Sequence, residues 1–151
     1  MALSTLQTWA YVLQSGSPSW MPNIFHPESG CNWLGVAGFV FGMNSQPVEG
    51  LVVEVGGILE GEAIYSFTMT GLAPIYGAGA YELPLSDHAI ASDDALWVRV
   101  KDLQGIDLSA PMFFDTFSTC EQNLTMINFV QASEEWLLNY FYLPFLVKDN
   151  K

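Results

Sequence analysis

From Leu34 to Phe129 the chain is cut into short apolar runs by a turn signal about every ten residues, the spacing of an all-β sandwich or barrel. The runs cover residues 34–41, 48–55, 62–70, 80–85, 95–102, 106–109, 112–117 and 123–129. Glycine, proline, asparagine and aspartate punctuate them, as in Gly42-Met43-Asn44-Ser45-Gln46-Pro47 and Gln104-Gly105. Gly56-Gly57 is expected to stop the second run. Residues 62–70 alternate, with Ala63, Tyr65, Phe67 and Met69 on one face and Glu62, Ser66, Thr68 and Thr70 largely on the other. Residues 95–102 do the same, with Leu96, Val98 and Val100 opposed to Trp97, Arg99 and Lys101. That period of two is the strand signature. Pro84 suits an edge strand or a bulge, because proline cannot donate to a ladder.

No helical segment separates successive runs, so alternating βαβ units are excluded. The expectation is an antiparallel sandwich of about seven strands over residues 31–130. An aromatic N-terminal arm and loop (1–30) and an aromatic C-terminal arm (131–151) flank it in one domain. Leu3, Leu6, Ala10 and Leu13 fall at helical spacing, yet residues 8–13 read equally well as a strand. Ser133-Glu134-Glu135 suits the start of one short helical turn.

Charge narrows the partners. Sixteen Asp and Glu stand against four Lys and Arg, a net charge of −12. Arg99, Lys101, Lys148 and Lys151 do not cluster enough to grip phosphates, so nucleic acid and anionic membrane are not expected partners. The most apolar runs, 34–41 and 136–147, fall short of the roughly 20 residues a membrane helix needs. Asn139 and Pro144 break the second. The first sixteen residues lack the basic and apolar regions of a signal peptide. Either a signal has been removed and Met1 added, or the chain is cytosolic.

Cys31 and Cys120 favour the first alternative. Each sits just before a strand-like run, the first and the last of the core, which suits a disulfide tying those strands. Such a bond implies an oxidising compartment. The alternative is two buried thiols of a cytosolic core. Asn123-Leu124-Thr125 is a glycosylation sequon inside an apparent strand.

Catalytic chemistry is not legible. There is no Gly-x-Ser-x-Gly elbow, and Gly77-Ala78-Gly79 precedes a strand and lacks a lysine. His26 and His88 read as solvated loop residues rather than bases. Asp87, Asp93 and Asp94 share one loop and could offer oxygen ligands to calcium, but without the spacing of a calcium hand they read as a solvated acidic loop. No catalytic residue, cofactor or metal is expected.

The aromatics say more. Trp9, Tyr11, Trp20, Phe25 and Trp33 crowd one end of the chain, and Trp136, Tyr140, Phe141, Tyr142 and Phe145 the other. Either both ends pack on their own sandwich, or an end adds as a strand to a second copy. In the second case Trp9, Tyr11, Leu13, Trp136, Tyr140, Phe141, Tyr142, Leu143, Phe145 and Val147 form the assembly arms. Exposed tryptophans could also serve as stacking platforms for a glycan.

Gly35-Val36-Ala37-Gly38-Phe39-Val40, a polar turn and Gln46-Pro47-Val48-Glu49-Gly50-Leu51-Val52-Val53-Glu54-Val55 together resemble the opening hairpin of carboxypeptidase regulatory-like domains. Gly79-Ala80-Tyr81-Glu82-Leu83 is similar to a later strand of those domains, and residues 98–109 to the hairpin near their end. The likeness spans residues 31–129 and implies a prealbumin-like, seven-strand Greek-key sandwich. Tyr142-Leu143-Pro144-Phe145-Leu146-Val147-Lys148 is similar to an aromatic-Leu-Pro-aliphatic-basic segment of bacterial extracellular proteins. Both likenesses imply a secreted, non-catalytic module. The expectation is a secreted structural protein that self-associates into a filament or layer, with copies of itself or other surface proteins as partners. The alternative is a binding or spacer module of a larger extracellular protein that contacts glycans.

Overall fold

The computed structural model describes residues 8–132. They form an all-β body with no α-helix among the described residues. Eleven strands occur: β1 (Tyr11–Leu13), β2 (Ser19–Met21), β3 (Leu34–Gly38), β4 (Val40–Phe41), β5 (Val52–Leu59), β6 (Glu62–Met69), β7 (Tyr81–Ser86), β8 (Ser92–Lys101), β9 (Met112–Thr116), β10 (Leu124–Met126) and β11 (Phe129–Gln131).

Two layers result. The second layer is a continuous sheet in the order β6-β5-β8-β9, antiparallel throughout. The first layer is interrupted. β2-β10-β3-β7 forms one part and β1-β11-β4 the other. The same strands run on from one part to the other, with breaks at residues 14–18, Phe39 and Ile127-Asn128. Asn128 mends those breaks. Its carbonyl accepts from Gln14 N, its amide N donates to Ser17 Oγ, its Nδ2 donates to Gln14 Oε1, and its Oδ1 accepts from Phe39 N. Backbone groups that leave a ladder must find partners elsewhere, and Asn128 supplies them here with both its backbone and its side chain.

A single buried cluster joins the layers. Leu34, Val36, Val40, Tyr81, Leu83, Ile127 and Phe129 of the first pack on Val53, Val55, Leu96, Val98, Val100 and Phe114 of the second. Tyr81, fully buried, donates its hydroxyl to Ile127 O, so the core's one large polar tip is satisfied.

Four features differ from the sequence expectation. First, Gly56-Gly57 does not stop a strand, because β5 runs through both to Leu59. A Cβ on Gly56 would overlap the Trp97 ring, and one on Gly57 the carbonyl of Ala95. Close approach, not chain reversal, is what these glycines serve. Second, residues 106–109 form no strand; Asp107 bridges to Lys101, Leu108 N donates to Val100 O, and Leu108 O accepts from Tyr11 N. Third, the pairing is not wholly antiparallel. β10 lies parallel to β3, and β11 parallel to β4. Cys31 and Cys120 are bonded, with Cα atoms 5.1 Å apart, and each precedes its strand. Two neighbouring strands whose starts are joined leave in the same direction. Fourth, β1 and β2 extend the first layer, pairing antiparallel with β11 and β10. Residues 8–30 therefore belong to the sandwich rather than to a separate arm.

Asn123 secures the same corner. It is fully buried. Its Nδ2 donates to Gly30 O at 2.9 Å and Trp33 O at 3.0 Å, and its Oδ1 accepts from Asn23 N at 2.9 Å. The sequon asparagine thus acts as a brace between loops and offers no free amide in the folded chain.

The disulfide closes a loop of 89 residues. Such closure contributes about 4–5 kcal/mol on the chain-entropy model. Thiol titration of the denatured, unreduced chain should find no free cysteine. Reduction should lower the urea-unfolding free energy by about 2–5 kcal/mol.

Candidate functional site

The outward side of the second layer carries large apolar side chains that nothing described covers. Tyr65 is 63% exposed, Phe67 64%, Phe113 53% and Ile58 49%. The alternation of β6 accounts for two of them. Val53 pairs with Thr68 and Val55 with Ser66, so the polar row of β6 shares the core side. Its apolar row, Ala63, Tyr65, Phe67 and Met69, points to solvent. The period is as the sequence indicates, while the apolar face is the outward one.

Register aligns the aromatics. Tyr65 stands opposite Gly56, Gly56 opposite Trp97, and Trp97 opposite Phe113. One cross-strand line thus holds three aromatic side chains with a glycine second in order. Trp97 lies over that glycine, in the space a Cβ would fill. An aromatic that covers a strand glycine restores the contact its missing side chain loses. The row spans three strand spacings, about 14 Å at about 4.8 Å each. Phe67 and Ile58 flank it on the next rungs.

A charge cluster sits beside the row. Glu54 is outward-facing yet only 2% exposed, under its neighbours. Tyr65 donates its hydroxyl to Glu54 Oε1 at 2.5 Å, and Arg99 Nε donates to Oε2 at 2.7 Å. Lys101 Nζ lies 3.4 Å from the same Oε2. Asp107 completes the group, 3.6 Å from both Arg99 and Lys101. The Arg99 guanidinium carbon is 4.8 Å from the Trp97 ring centre, a cation–π contact that holds both side chains down. Burial opposes ionisation of Glu54, but the Tyr65 and Arg99 hydrogen bonds and the two cations outweigh it, holding its carboxyl below the ordinary range. The bond to Glu54 pushes the Tyr65 phenol up.

A second cluster lies on the first layer. His26 Nε2 is 2.5 Å from Glu82 Oε2, which also accepts the Tyr76 hydroxyl at 2.6 Å. His26 packs beside Trp33 and Tyr76. It is therefore no solvated loop residue, contrary to the sequence expectation. Its partner Glu82 comes from β7, 56 residues away, a contact that local sequence does not carry. His88 is exposed, between Asp87 and Glu60.

The predicted sites fall as follows. Cys31 and Cys120 meet. Tyr11 and Leu13 lie in β1, paired with β11 of their own chain and packed on its core, with Trp9 just before them. That is the folded-back alternative for this end. Trp136, Tyr140, Phe141, Tyr142, Leu143, Phe145 and Val147 lie outside the described residues. Asp87 pairs with His88, whereas Asp94 N donates to Asp115 Oδ1 at the start of β8. No group of three or more His, Cys, Asp or Glu among the described residues is placed to hold a metal ion.

No protein-family model and no curated protein matches this chain. Among solved structures, it is similar to the dioxygenase domain of a dioxygenase carbohydrate-binding protein fusion from the cellulolytic bacterium Streptomyces sp. SirexAA-E, at 14% identity and a TM-score of 0.35, over 78% of this chain and 82% of that one. A likeness of that size carries no argument about fold or chemistry.

The depressed Glu54 carboxyl has a pH signature. A carboxylate favoured in the folded state adds stability above its ordinary pKa, roughly pH 4 to 5, and loses it as pH falls through the lower folded value. Glu54→Gln should therefore cost about 1–3 kcal/mol at pH 7, from the weakened Arg99 and Lys101 contacts. The difference from wild type should shrink below about pH 4 in urea melts compared pH by pH.

Proposed function

We propose that this chain is a non-enzymatic structural module of a secreted or cell-surface protein, and that it associates with copies of itself. The observation that carries the reading is the group Ile58, Tyr65, Phe67 and Phe113, about half exposed or more on one flat sheet face. A soluble body rarely leaves so many large apolar side chains together in water unless something covers them. The disulfide supports an oxidising compartment.

The finer fold reading is prealbumin-like. Joining β3 with β4 and β10 with β11 leaves seven strands within residues 31–130, with β1 and β2 as an added edge. Three lie in one layer and four in the other, and the chain crosses between layers after β4, β6, β7 and β9. β5 and β8 are neighbours although β6 and β7 intervene, which supports a Greek-key reading.

β1 is taken up by its own sheet. That leaves the sheet edges, the segment 133–151 and the outward apolar face as surfaces for association. A second reading is a binding or spacer module that touches glycans, favoured by the flat setting of Trp97 over Gly56. Size-exclusion chromatography with light scattering separates the two. Self-association gives a mass above the monomer that rises with concentration. A monomer at every concentration leaves the binding or spacer module.

A further inference from the structure

We propose that the outward face of the β6-β5-β8-β9 sheet is the seat of that association, and that its occupant is the same face of a second copy. This rests on the self-association reading and names the surface within it.

Charge selects the face. The chain carries −12, so two copies repel wherever acidic surface meets acidic surface. Arg99 and Lys101 are the only Lys or Arg among the described residues, and both lie on this face. With Glu54 and Asp107 they form a quartet of two cations and two anions. The ground beside the aromatic row is thus neutral, and at physiological salt a charge is felt only within about 8 Å. The opposite end of the face is acidic, where Asp94 and Asp115 meet at the start of β8. A two-fold axis that reverses strand direction keeps the two Asp94–Asp115 ends apart and sets each beside the neutral quartet of the other copy, which stays intact.

Hydrogen bonding selects the occupant. A glycan presents hydroxyl groups, which lose water on binding and need polar partners. The Tyr65 hydroxyl is already given to Glu54, and the Glu54 oxygens to Tyr65, Arg99 and Lys101. Ile58, Phe67 and Phe113 have no polar group to offer. A partner that is apolar and neutral at its centre suits this surface, and its own copy has that character. An acidic or basic partner would have to break up the quartet.

The chain itself supplies the comparison. On the outer side of the first layer, Trp33 lies over Gly35 as Trp97 lies over Gly56. There Met21, Phe25, Tyr76 and Met126 pack around the tryptophan, leaving it 8% exposed. The second layer repeats the tryptophan-on-glycine arrangement without such a cover among the described residues.

A face that meets its own copy makes an isologous contact and closes at a dimer. The full chain should therefore reach the mass of two copies in light scattering and stop there. Phe67→Lys with Phe113→Lys should return it to the monomer, with an unchanged far-ultraviolet circular dichroism spectrum. Ile24→Lys, a comparably exposed site in the loop after β2 of the other layer, should leave the dimer intact. Ile58→Lys, on a different strand, should also give the monomer and serves if the double variant fails to fold. If the wild type assembles and these variants assemble equally, the face is not the seat, while self-association stands. Growth past the dimer that the variants do not alter overturns the closed contact. A wild-type monomer at all concentrations overturns both the self-association reading and this proposal.

Discussion

The fold hangs on the junction of two strand starts. Cys31 and Cys120 stand immediately before the first and last strands of the core, and their bond sets β3 and β10 side by side and parallel. Asn123 adds three hydrogen bonds at the same corner, reaching Asn23, Gly30 and Trp33. That corner matters because the ladders joining β2, β10 and β3 are only three residues long. Short ladders contribute little each, and parallel pairing over 89 residues of chain is entropically costly to close. The covalent tie removes much of that cost from the folding step. The rest of the first layer, including the Asn128 repair of its broken strands, is positioned from there.

The sequence carried the strand pattern, because an alternation of two is a local property. It placed β6 on its residues and identified the two faces of β6 and β8, but it began β8 at residue 95 and read Asp93 and Asp94 as loop, whereas β8 starts at Ser92. It could not say which face of β6 meets the core, since Tyr65 and Phe67 are as apolar as anything in the interior. That choice is made by β5. Val53 and Val55 must face inward, and antiparallel register then sends Tyr65 and Phe67 out. Gly56-Gly57 was opaque for a related reason. Glycine reads as a turn locally, while its use here depends on Trp97, which arrives from forty residues further along the chain. The His26–Glu82 pair is the same kind of contact. The parallel neighbours were implicit in the cysteines, since both precede their strands and two joined starts require a common direction.

Glu54 makes the outward face possible as well as neutral. A carboxylate within an apolar sheet face would be costly if left bare, and water could reach it only by parting the aromatics. Tyr65, Arg99 and Lys101 satisfy it in place, and in doing so they fix their own side chains. Tyr65 is thereby held at the edge of the row by a hydrogen bond, and Arg99 lies beside the Trp97 ring. Tyr65, Arg99 and Trp97 are thus held in place by contacts within the chain itself.

The two outer surfaces of the sandwich show one solution used twice and completed once. Each sheet thins its strand with a glycine and lays a tryptophan across the gap, Trp33 over Gly35 and Trp97 over Gly56. In the first layer the loop between β2 and β3 folds over the tryptophan, and Phe25 packs against Tyr76 with tilted rings, 4.4 Å between ring centres. His26 and Glu82 then supply the polar rim of that cover. The second layer has the corresponding polar group, Glu54 with its cations, but the hairpin turns beside it are too short to reach across. Turn residues Glu60-Gly61 join β5 to β6 directly, and Asp102 closes a tight turn by accepting from Gln104 N and Ile106 N. The longer β8–β9 connection, residues 102–111, brings Asp107 to the charge cluster and leaves the aromatic row uncovered. Among the described residues the face stays open, and burying its aromatic row requires atoms from outside the hairpins that form it.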